Sequence, residues 1–130
     1  MHNVAIPTDD GRTLSGFGRA KMMVVLNVEN GTVMAREERP SLDPEHLSPA
    51  HHKLMMDLVR DCDVVVAGHM GPPMVRSLTQ VGKRVLHAPS DDLETSIRAY
   101  LASEQGGPSL PLLTVEEAQA GHDHHDETSH

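Results

Sequence analysis

A short apolar run lies between two segments that show helical spacing of their apolar residues. Residues 63–67 are Asp-Val-Val-Val-Ala, without the alternation of apolar and polar residues that a half-exposed strand shows. Such a run is typical of a parallel strand, because helices cover a parallel sheet on both faces and leave no side for water. The run therefore predicts an α/β protein whose helices pack on a sheet.

An Asn-Gly pair predicts a β-hairpin near the start of the chain. Asn30-Gly31 separates the apolar segments 22–28 and 32–37, and both turn residues of such a hairpin need a positive φ. Residues 2–7 precede the hairpin as a short strand. A loop of turn-forming residues, 9–19, joins them.

Helix start signals and stripes of apolar residues predict three helices. The first is expected to begin at Ser48-Pro49, with serine as cap and proline in the first turn, and to run to about Arg60. The second leaves Gly71 and ends at Gly82, and a strand over 84–88 follows. Asp91 is expected to cap the third, with Glu94 completing a capping box. The predicted order is β-β-β-α-β-α-β-α, a mixed five-stranded sheet with helices on its faces.

Charge and composition exclude several classes of function. The 130 residues carry 19 acidic and 11 basic side chains, a formal charge of −8. That field repels nucleic acids and anionic membranes, so neither is expected as a partner. Cys62 is the only cysteine, no apolar segment is long enough to span a bilayer, and no signal peptide is evident. We therefore expect a cytoplasmic protein.

The chain has ten histidines, several of them in an acidic C-terminal segment, and this composition predicts metal binding. We expect a domain over residues 1–105 and a flexible His/Asp-rich tail over 106–130. In the tail, His122, His124 and His125 alternate with acidic residues, a composition that can bind Zn, Ni or Cu loosely. The alternative is that the tail is solvated and inert.

Connectivity predicts where a binding site lies. In open α/β sheets, ligands bind at the carboxyl ends of the parallel strands. The strand over 63–67 ends at Gly68-His69-Met70-Gly71. The preceding helix runs antiparallel to it, so His46, His51 and His52 are expected near the same edge as His69. A histidine between two glycines is the strongest candidate, whereas the other three could be ordinary surface or half-buried residues.

The same edge is expected to favour an anion. The second helix begins after Gly71, and the free N–H groups of a helix N-terminus attract negative charge. Arg19 adds positive charge nearby. Nitrogen ligands, a glycine-lined backbone and an arginine suit a bulky, negatively charged metal–sulfur group better than a bare cation.

Several segments together resemble a known family. They are Val4-Ala5-Ile6-Pro7-Thr8-Asp9-Asp10-Gly11, Leu14-Ser15, Phe17-Gly18-Arg19-Ala20, the hairpin at Val28–Gly31, Asp63–Gly68 running into Met70-Gly71-Pro72, and Leu78–Gly82. Over roughly residues 2–104, the chain resembles the dinitrogenase iron–molybdenum cofactor biosynthesis family.

The resemblance implies a ribonuclease-H-like three-layer fold and non-enzymatic binding of iron–molybdenum cofactor, its precursors or related metal–sulfur clusters. It also implies cofactor-assembly proteins as partners. The connectivity argument, and not the resemblance, gives the expected cofactor-binding residues, which are Arg19, Gly68, His69, Met70 and Gly71. This sequence departs from the family at two positions. The family often has His before the Phe-Gly-Arg segment, where this chain has Gly16, and His69 stands where a small residue is commoner.

Two other functions compete with a cluster carrier. A simple chaperone or sensor for Zn, Ni or Cu would use the histidines and the tail. A nuclease of the ribonuclease H type needs carboxylates around Mg²⁺, and the segment Val4-Ala5-Ile6 carries none. We therefore expect no enzymatic activity. The apolar face with Met55 and Met56, or the hairpin edge, would allow a homodimer without requiring one.

Overall fold

The computed structural model describes residues 1–115, which contain five strands and three helices. The strands are β1 (His2–Thr8), β2 (Met22–Glu29), β3 (Thr32–Pro40), β4 (Val64–Ala67) and β5 (Arg84–His87). The helices are α1 (His51–Leu58), α2 (Pro72–Gln80) and α3 (Leu93–Glu104). A 3₁₀ turn, Phe17–Arg19, lies between β1 and β2. The predicted order of strands and helices is confirmed.

The five strands form one mixed sheet in the order β3-β2-β1-β4-β5. β1 pairs with β4 in parallel, with Val4 opposite Val64, and β4 pairs with β5 in parallel. β2 is antiparallel to both of its neighbours. The carboxyl ends of β1, β4 and β5 therefore meet at one edge of the sheet.

The hairpin between β2 and β3 turns at the predicted pair. Asn30 has φ 53° and Gly31 has φ 76°. Positive φ at both turn residues matches the right-handed twist of the two strands, which is why the Asn-Gly pair fixes the register here.

Helices cover both faces of the sheet and divide the core into two clusters. α1 and α2 pack on one face, over a cluster that includes Ala5, Val65, Met55, Val75 and Phe17. α3 packs on the other face, over a cluster that includes Val4, Ile6, Val66, Ile97 and Tyr100. Successive side chains of β4 thus point alternately into the two clusters, so both faces of this strand are buried. None of the helices within residues 1–115 has the length and apolar character needed to cross a membrane.

Two helices begin later than predicted. α1 begins at His51, and its cap position is Ala50 without a side-chain hydrogen bond, because the Ser48 hydroxyl accepts the Ala50 N–H in a turn before the helix. The prediction that Ser48 caps α1 was therefore wrong. α3 is capped by Asp92, whose carboxylate accepts the Thr95 N–H at 2.9 Å.

Asp91, the predicted cap of α3, instead uses its carbonyl oxygen to accept the Leu14 N–H at 2.8 Å. Glu94 consequently lies one position too early to complete a capping box. Its carboxylate pairs with Arg36 of β3 at 2.9 Å. An adjacent pair of aspartates gives no local signal for which of them caps the helix.

The packed part of the chain continues past the predicted boundary at residue 105. Leu112 forms an antiparallel bridge with Leu86, and the Leu113 N–H donates to the Val85 carbonyl at 2.8 Å. The Leu113 side chain is only 6% exposed. Residues 110–113, here called the C-terminal strap, therefore cover the free edge of β5. The predicted tail histidines His122, His124 and His125 lie outside the described residues.

Candidate functional site

Three loops meet at the carboxyl edge of the parallel strands. The Ser15 N–H donates to the Pro7 carbonyl at 3.1 Å, which folds the loop after β1 back over its own strand. The Phe17 N–H donates to the His69 carbonyl at 3.0 Å, so this loop also contacts the loop after β4. The Leu14 bond to Asp91 joins the loop after β5. The predicted location of the site thus coincides with a surface assembled from all three loops.

His69 is the exposed histidine of this surface and faces Gly16 across it. A Cβ atom added at Gly16 would lie 3.9 Å from the Cβ of His69. Gly16 has φ −60° and ψ 138°, an extended conformation that any residue can adopt. Side chains at positions 16 and 69 would therefore begin from almost the same place, in ordinary van der Waals contact.

Backbone donors at this edge come from the loop after β4 and not from helix α2. The first two helical residues, Pro72 and Pro73, have no N–H. The N–H groups of Met74 and Val75 both donate to the Gly71 carbonyl, at 3.0 and 3.1 Å. The prediction that free N–H groups of this helix favour an anion was therefore wrong.

Residues 68–71 supply the donors that α2 lacks. No described residue accepts a hydrogen bond from the backbone N–H groups of Gly68, His69, Met70 or Gly71. The Met70 side chain is buried in the core beneath the loop, which fixes the backbone in place. The segment that carries the His69 imidazole thus has four consecutive backbone N–H groups without a described acceptor. Such donors suit an anionic or sulfide-rich ligand.

His51 is held by two hydrogen bonds. Its Nδ1 lies 2.7 Å from the Asp43 carboxylate, and its Nε2 lies 2.7 Å from the Gly18 carbonyl. Both partners only accept, so the ring satisfies both when each of its nitrogens carries a proton. His51 therefore joins the loop before α1 to the Phe17–Arg19 turn and has no free nitrogen for a metal.

Asp43 is the polar centre of the loop before α1. Burial alone would raise the pKa of Asp43, but the hydrogen bond to His51 outweighs it, together with those from the Ser48 and Leu47 amides. The net pKa is lowered, so the carboxylate form is favoured next to His51. The loop is thus fixed beside the site by charge-assisted hydrogen bonds.

The other predicted histidines do not assemble into an ion site. His46 contacts His51 ring to ring, with centroids 5.2 Å apart, and His52 Nε2 lies 2.9 Å from the Ser77 hydroxyl. Within residues 1–115, no three His, Cys, Asp or Glu side chains stand close enough together to hold a metal ion. The lone Cys62 is buried at the other end of β4, where burial raises the pKa of its thiol to about 12.

Arg19, the predicted basic residue, is exposed at the end of the Phe17–Arg19 turn. Asp91 brings a carboxylate to the same edge, since its Oδ1 would lie 4.0 Å from a Cβ added at Gly68. This edge therefore carries the His69 imidazole, the Asp91 carboxylate and the 68–71 backbone, with Arg19 in the turn that contacts the same loop.

A model of one protein family matches most of the chain, over residues 2–103, and that family is described as dinitrogenase iron-molybdenum cofactor. The chain belongs to this family. The match spans all five strands and α1, α2 and nearly all of α3. The comparison with curated proteins gives no match.

Several solved structures share this fold at low sequence identity. The apo form of the orange protein from Desulfovibrio gigas has a TM-score of 0.67 and 20% identity, covering 87% of this chain and 93% of that one. A Methanocaldococcus jannaschii protein, described provisionally as a dinitrogenase, has a TM-score of 0.65 and 14% identity, over 86% and 94%. A Thermotoga protein, described provisionally as NifB, has a TM-score of 0.57 and 21% identity, over 88% and 95%. These similarities show the fold.

Two residues at the candidate site of this dinitrogenase cofactor family member were not singled out from the sequence. Asp91 was assigned to a helix cap, although its position after β5 places it at the same edge as His69. Asp43 lies in a polar loop and contacts His51 only after the chain folds back, so no local pattern marks it. The first could have been found from topology, and the second could not.

Replacing His51 by alanine is expected to loosen the Phe17–Arg19 turn of this family member. The substitution removes the hydrogen bond to the Gly18 carbonyl and the imidazole partner of the Asp43 carboxylate. Hydrogen bonds to charged groups contribute about 1.5–3 kcal/mol, so amide exchange at Phe17 and Arg19 should speed up about tenfold or more. Hydrogen exchange measured by NMR on the full chain would test this.

The matched control is His46→Ala, which removes a ring contact with His51 but no hydrogen bond to the turn. Exchange at Phe17 and Arg19 should then change little. Equal protection of both amides in wild type and His51→Ala would contradict a positioning role for His51.

Proposed function

We propose that this chain binds and carries an iron–molybdenum cluster, or a related metal–sulfur cluster or precursor, at the Gly68–Gly71 loop. Family membership supports a role connected with the dinitrogenase cofactor. The observation that carries the proposal is the arrangement of His69, an exposed imidazole, beside four consecutive backbone N–H groups without described acceptors. Cofactor-assembly proteins are then the proposed partners, and a homodimer is compatible with the site.

The donor set fits a cluster better than a bare ion. A structural or catalytic zinc site needs three or four protein ligands, and residues 1–115 bring no three such side chains together. A preformed cluster carries its own sulfide ligands. It therefore needs only one or two bonds from protein, and His69 or Asp91 can supply a nitrogen or oxygen. Backbone N–H groups can then donate to the sulfides.

Local charge at the site opposes the charge of the whole chain. The formal charge of −8 repels a negatively charged cluster at long range. Arg19 and the backbone donors of residues 68–71 provide the nearby positive potential. We therefore propose that the cargo is held mainly by short-range contacts and that its binding strengthens with salt, which screens the unfavourable long-range field.

The proposed role is non-enzymatic. β1 carries no carboxylate along its length, from His2 to Thr8, so the strand lacks the acidic residue that metal-dependent nucleases place there. We also propose that the strand order β3-β2-β1-β4-β5, with only β2 antiparallel to β1, is a ribonuclease-H-like arrangement. The likeness is then one of fold and not of chemistry.

Loading the protein with cluster tests the proposal. The full chain would be produced with iron and molybdenum supplied, purified anaerobically without a metal column, and analysed for metal, sulfide and visible absorption. We expect iron or molybdenum together with sulfide and a charge-transfer band. His69→Ala should lower the bound metal about tenfold or more, because losing a ligand or its orienting contacts typically costs that much affinity.

Two further variants separate a ligand role from general damage. His52→Ala removes another exposed histidine, on α1, and should load like wild type. Gly16→His combined with His69→Ala places an imidazole opposite the lost one, since the two Cβ positions are 3.9 Å apart. That double variant should regain most of the bound metal if the cargo lies between positions 16 and 69.

A different outcome would favour simple metal handling. A colourless protein that holds only Zn, Ni or Cu, and releases it when residues 122–130 are removed, would contradict the cluster proposal. No described residue favours that alternative, because the tail histidines lie outside residues 1–115.

A further inference from the structure

His87 has a fixed backbone and an imidazole without a partner. It ends β5, where it lies opposite Ala67 in the parallel ladder, and its N–H donates to the Pro111 carbonyl at 2.7 Å. The side chain is half-buried, and no residue in the described part of the chain hydrogen-bonds or forms an ion pair with its ring. Polar side chains inside a fold normally have a partner, so this imidazole is available to a ligand.

The His87 side chain points to the face of the sheet that carries α1 and α2. Side chains alternate along a strand, and Val85 packs in the cluster beneath α1 and α2, whereas Leu86 packs in the cluster beneath α3. His87 follows Val85 by two residues and therefore shares its face.

The start of α2 lies across from His87. Val75 of α2 and Val85 of β5 line the same groove, and α2 runs antiparallel to β5 because it connects two parallel strands. One turn before Val75, about 6 Å back along the helix, is Gly71, whose carbonyl accepts the Val75 N–H at 3.1 Å. Two residues after Val85, about 6–7 Å further along the strand, is His87. Gly71 and His87 are therefore opposite each other.

The lack of a side chain at Gly71 keeps this end of the loop open. A Cβ atom added there would meet only Pro73 Cδ within 4 Å, at 3.8 Å. The backbone N–H of Gly71 has no acceptor among residues 1–115. Open space, a backbone donor and an imidazole thus occur together where the loop enters α2.

We propose that His87 is a second nitrogen ligand of the cargo, on the β5 side of the Gly68–Gly71 loop. The inference rests on the proposed function of that loop. His69 faces Gly16 in the loop after β1, whereas His87 belongs to β5, so the two imidazoles lie on opposite flanks of the loop. A polynuclear cluster presents several metal atoms, so two imidazoles bind it without converging on one point. A single ion would require its ligands to converge.

His87→Asn and His87→Ala test this role in the full chain, loaded as described for His69→Ala. Both variants should hold about tenfold less metal, because a lost ligand or orienting contact typically costs that much affinity. Asparagine keeps a planar polar group, so a role in packing alone would let His87→Asn retain most of the metal. Both variants should unfold within about 0.5 kcal/mol of wild type, since the ring has no described partner.

Chemical modification supplies a readout that does not depend on metal content. Diethyl pyrocarbonate acylates an unprotonated imidazole nitrogen, and mass spectrometry locates the product. Loading should slow the modification of His69 and His87 about tenfold or more, because a nitrogen bound to metal has no free electron pair. His52, on α1, is the internal control and should be modified at the same rate with and without cargo.

The outcomes separate this inference from the proposed function. If wild type loads and His69→Ala loses its metal, but both His87 variants load like wild type, His87 is not a ligand and the function of the loop stands. Equal modification rates of His87 in the empty and loaded protein would likewise overturn the inference alone. Wild-type protein that acquires no iron, molybdenum or sulfide would overturn both.

Discussion

Phe17→Ala is expected to lower the free energy of unfolding by about 3–5 kcal/mol, the usual cost of truncating a fully buried phenylalanine. Phe17 is the only phenylalanine and is 0% exposed, in the cluster beneath α1 and α2. A loss of this size corresponds to a fall in Tm of roughly 10–20 °C for a domain of this length. Thermal and urea unfolding followed by circular dichroism would measure both quantities.

The same substitution should also reduce cluster loading per folded molecule. The Phe17 N–H donates to the His69 carbonyl, so the buried ring fixes the position of the loop that carries His69. Phe17→Leu, which keeps most of the apolar volume, should cost only about 1–2 kcal/mol. Met34→Ala, at a residue that is 58% exposed, should change stability by about 0.5 kcal/mol or less. A cost below about 1 kcal/mol for Phe17→Ala would show that ring burial does not anchor this turn.

Those parts of the fold that depend on local chemistry were predictable from the sequence. The run Val64–Ala67 has no polar residue, and a strand covered on both faces is the arrangement that satisfies such a run. Asn30-Gly31 supplies positive φ at two consecutive positions, which few other pairs tolerate. Parallel pairing of β4 with β5 then follows from the helical crossover that joins them.

The parts that depend on contacts across the fold were not predictable in the same way. The caps of α1 and α3 were each misplaced. Ser48 closes a turn before α1 instead of capping it, and Asp92 rather than Asp91 caps α3. The Asp91 carbonyl instead accepts the Leu14 N–H from a loop that is distant in sequence. Likewise, His51 was expected at the site as a metal ligand, but both of its ring nitrogens are hydrogen-bonded, one to the Asp43 carboxylate and one to the Gly18 carbonyl.

The location of the site was easier to predict than its composition. Strand direction alone places the loops after β1, β4 and β5 at one edge, and the structure brings Gly16, His69 and Asp91 together there. Which groups donate at that edge depends on details such as the two prolines that begin α2. A glycine-proline sequence therefore marks a helix start here, but the donors to a ligand come from the preceding loop.

Leu113→Ala is expected to lower the free energy of unfolding by about 2–4 kcal/mol, although the residue lies beyond the predicted domain boundary. Leu113 is 6% exposed and packs in the cluster beneath α1 and α2. Its neighbour Leu112 is 55% exposed, so Leu112→Ala is the matched control and should cost about 0.5 kcal/mol or less. Urea unfolding of the two full-length variants would give the difference directly.

A chain that ends at Gln105 should lose more than Leu113→Ala does. It also lacks the two backbone hydrogen bonds from the strap to β5, each contributing about 1 kcal/mol. The exposed edge of β5 would then present unpaired backbone groups, and such edges promote association between molecules. We therefore expect reduced stability together with concentration-dependent sedimentation. If the shortened chain unfolds at the same urea concentration as the full chain and stays monomeric, the strap is not part of the stable domain and the boundary at 105 is correct.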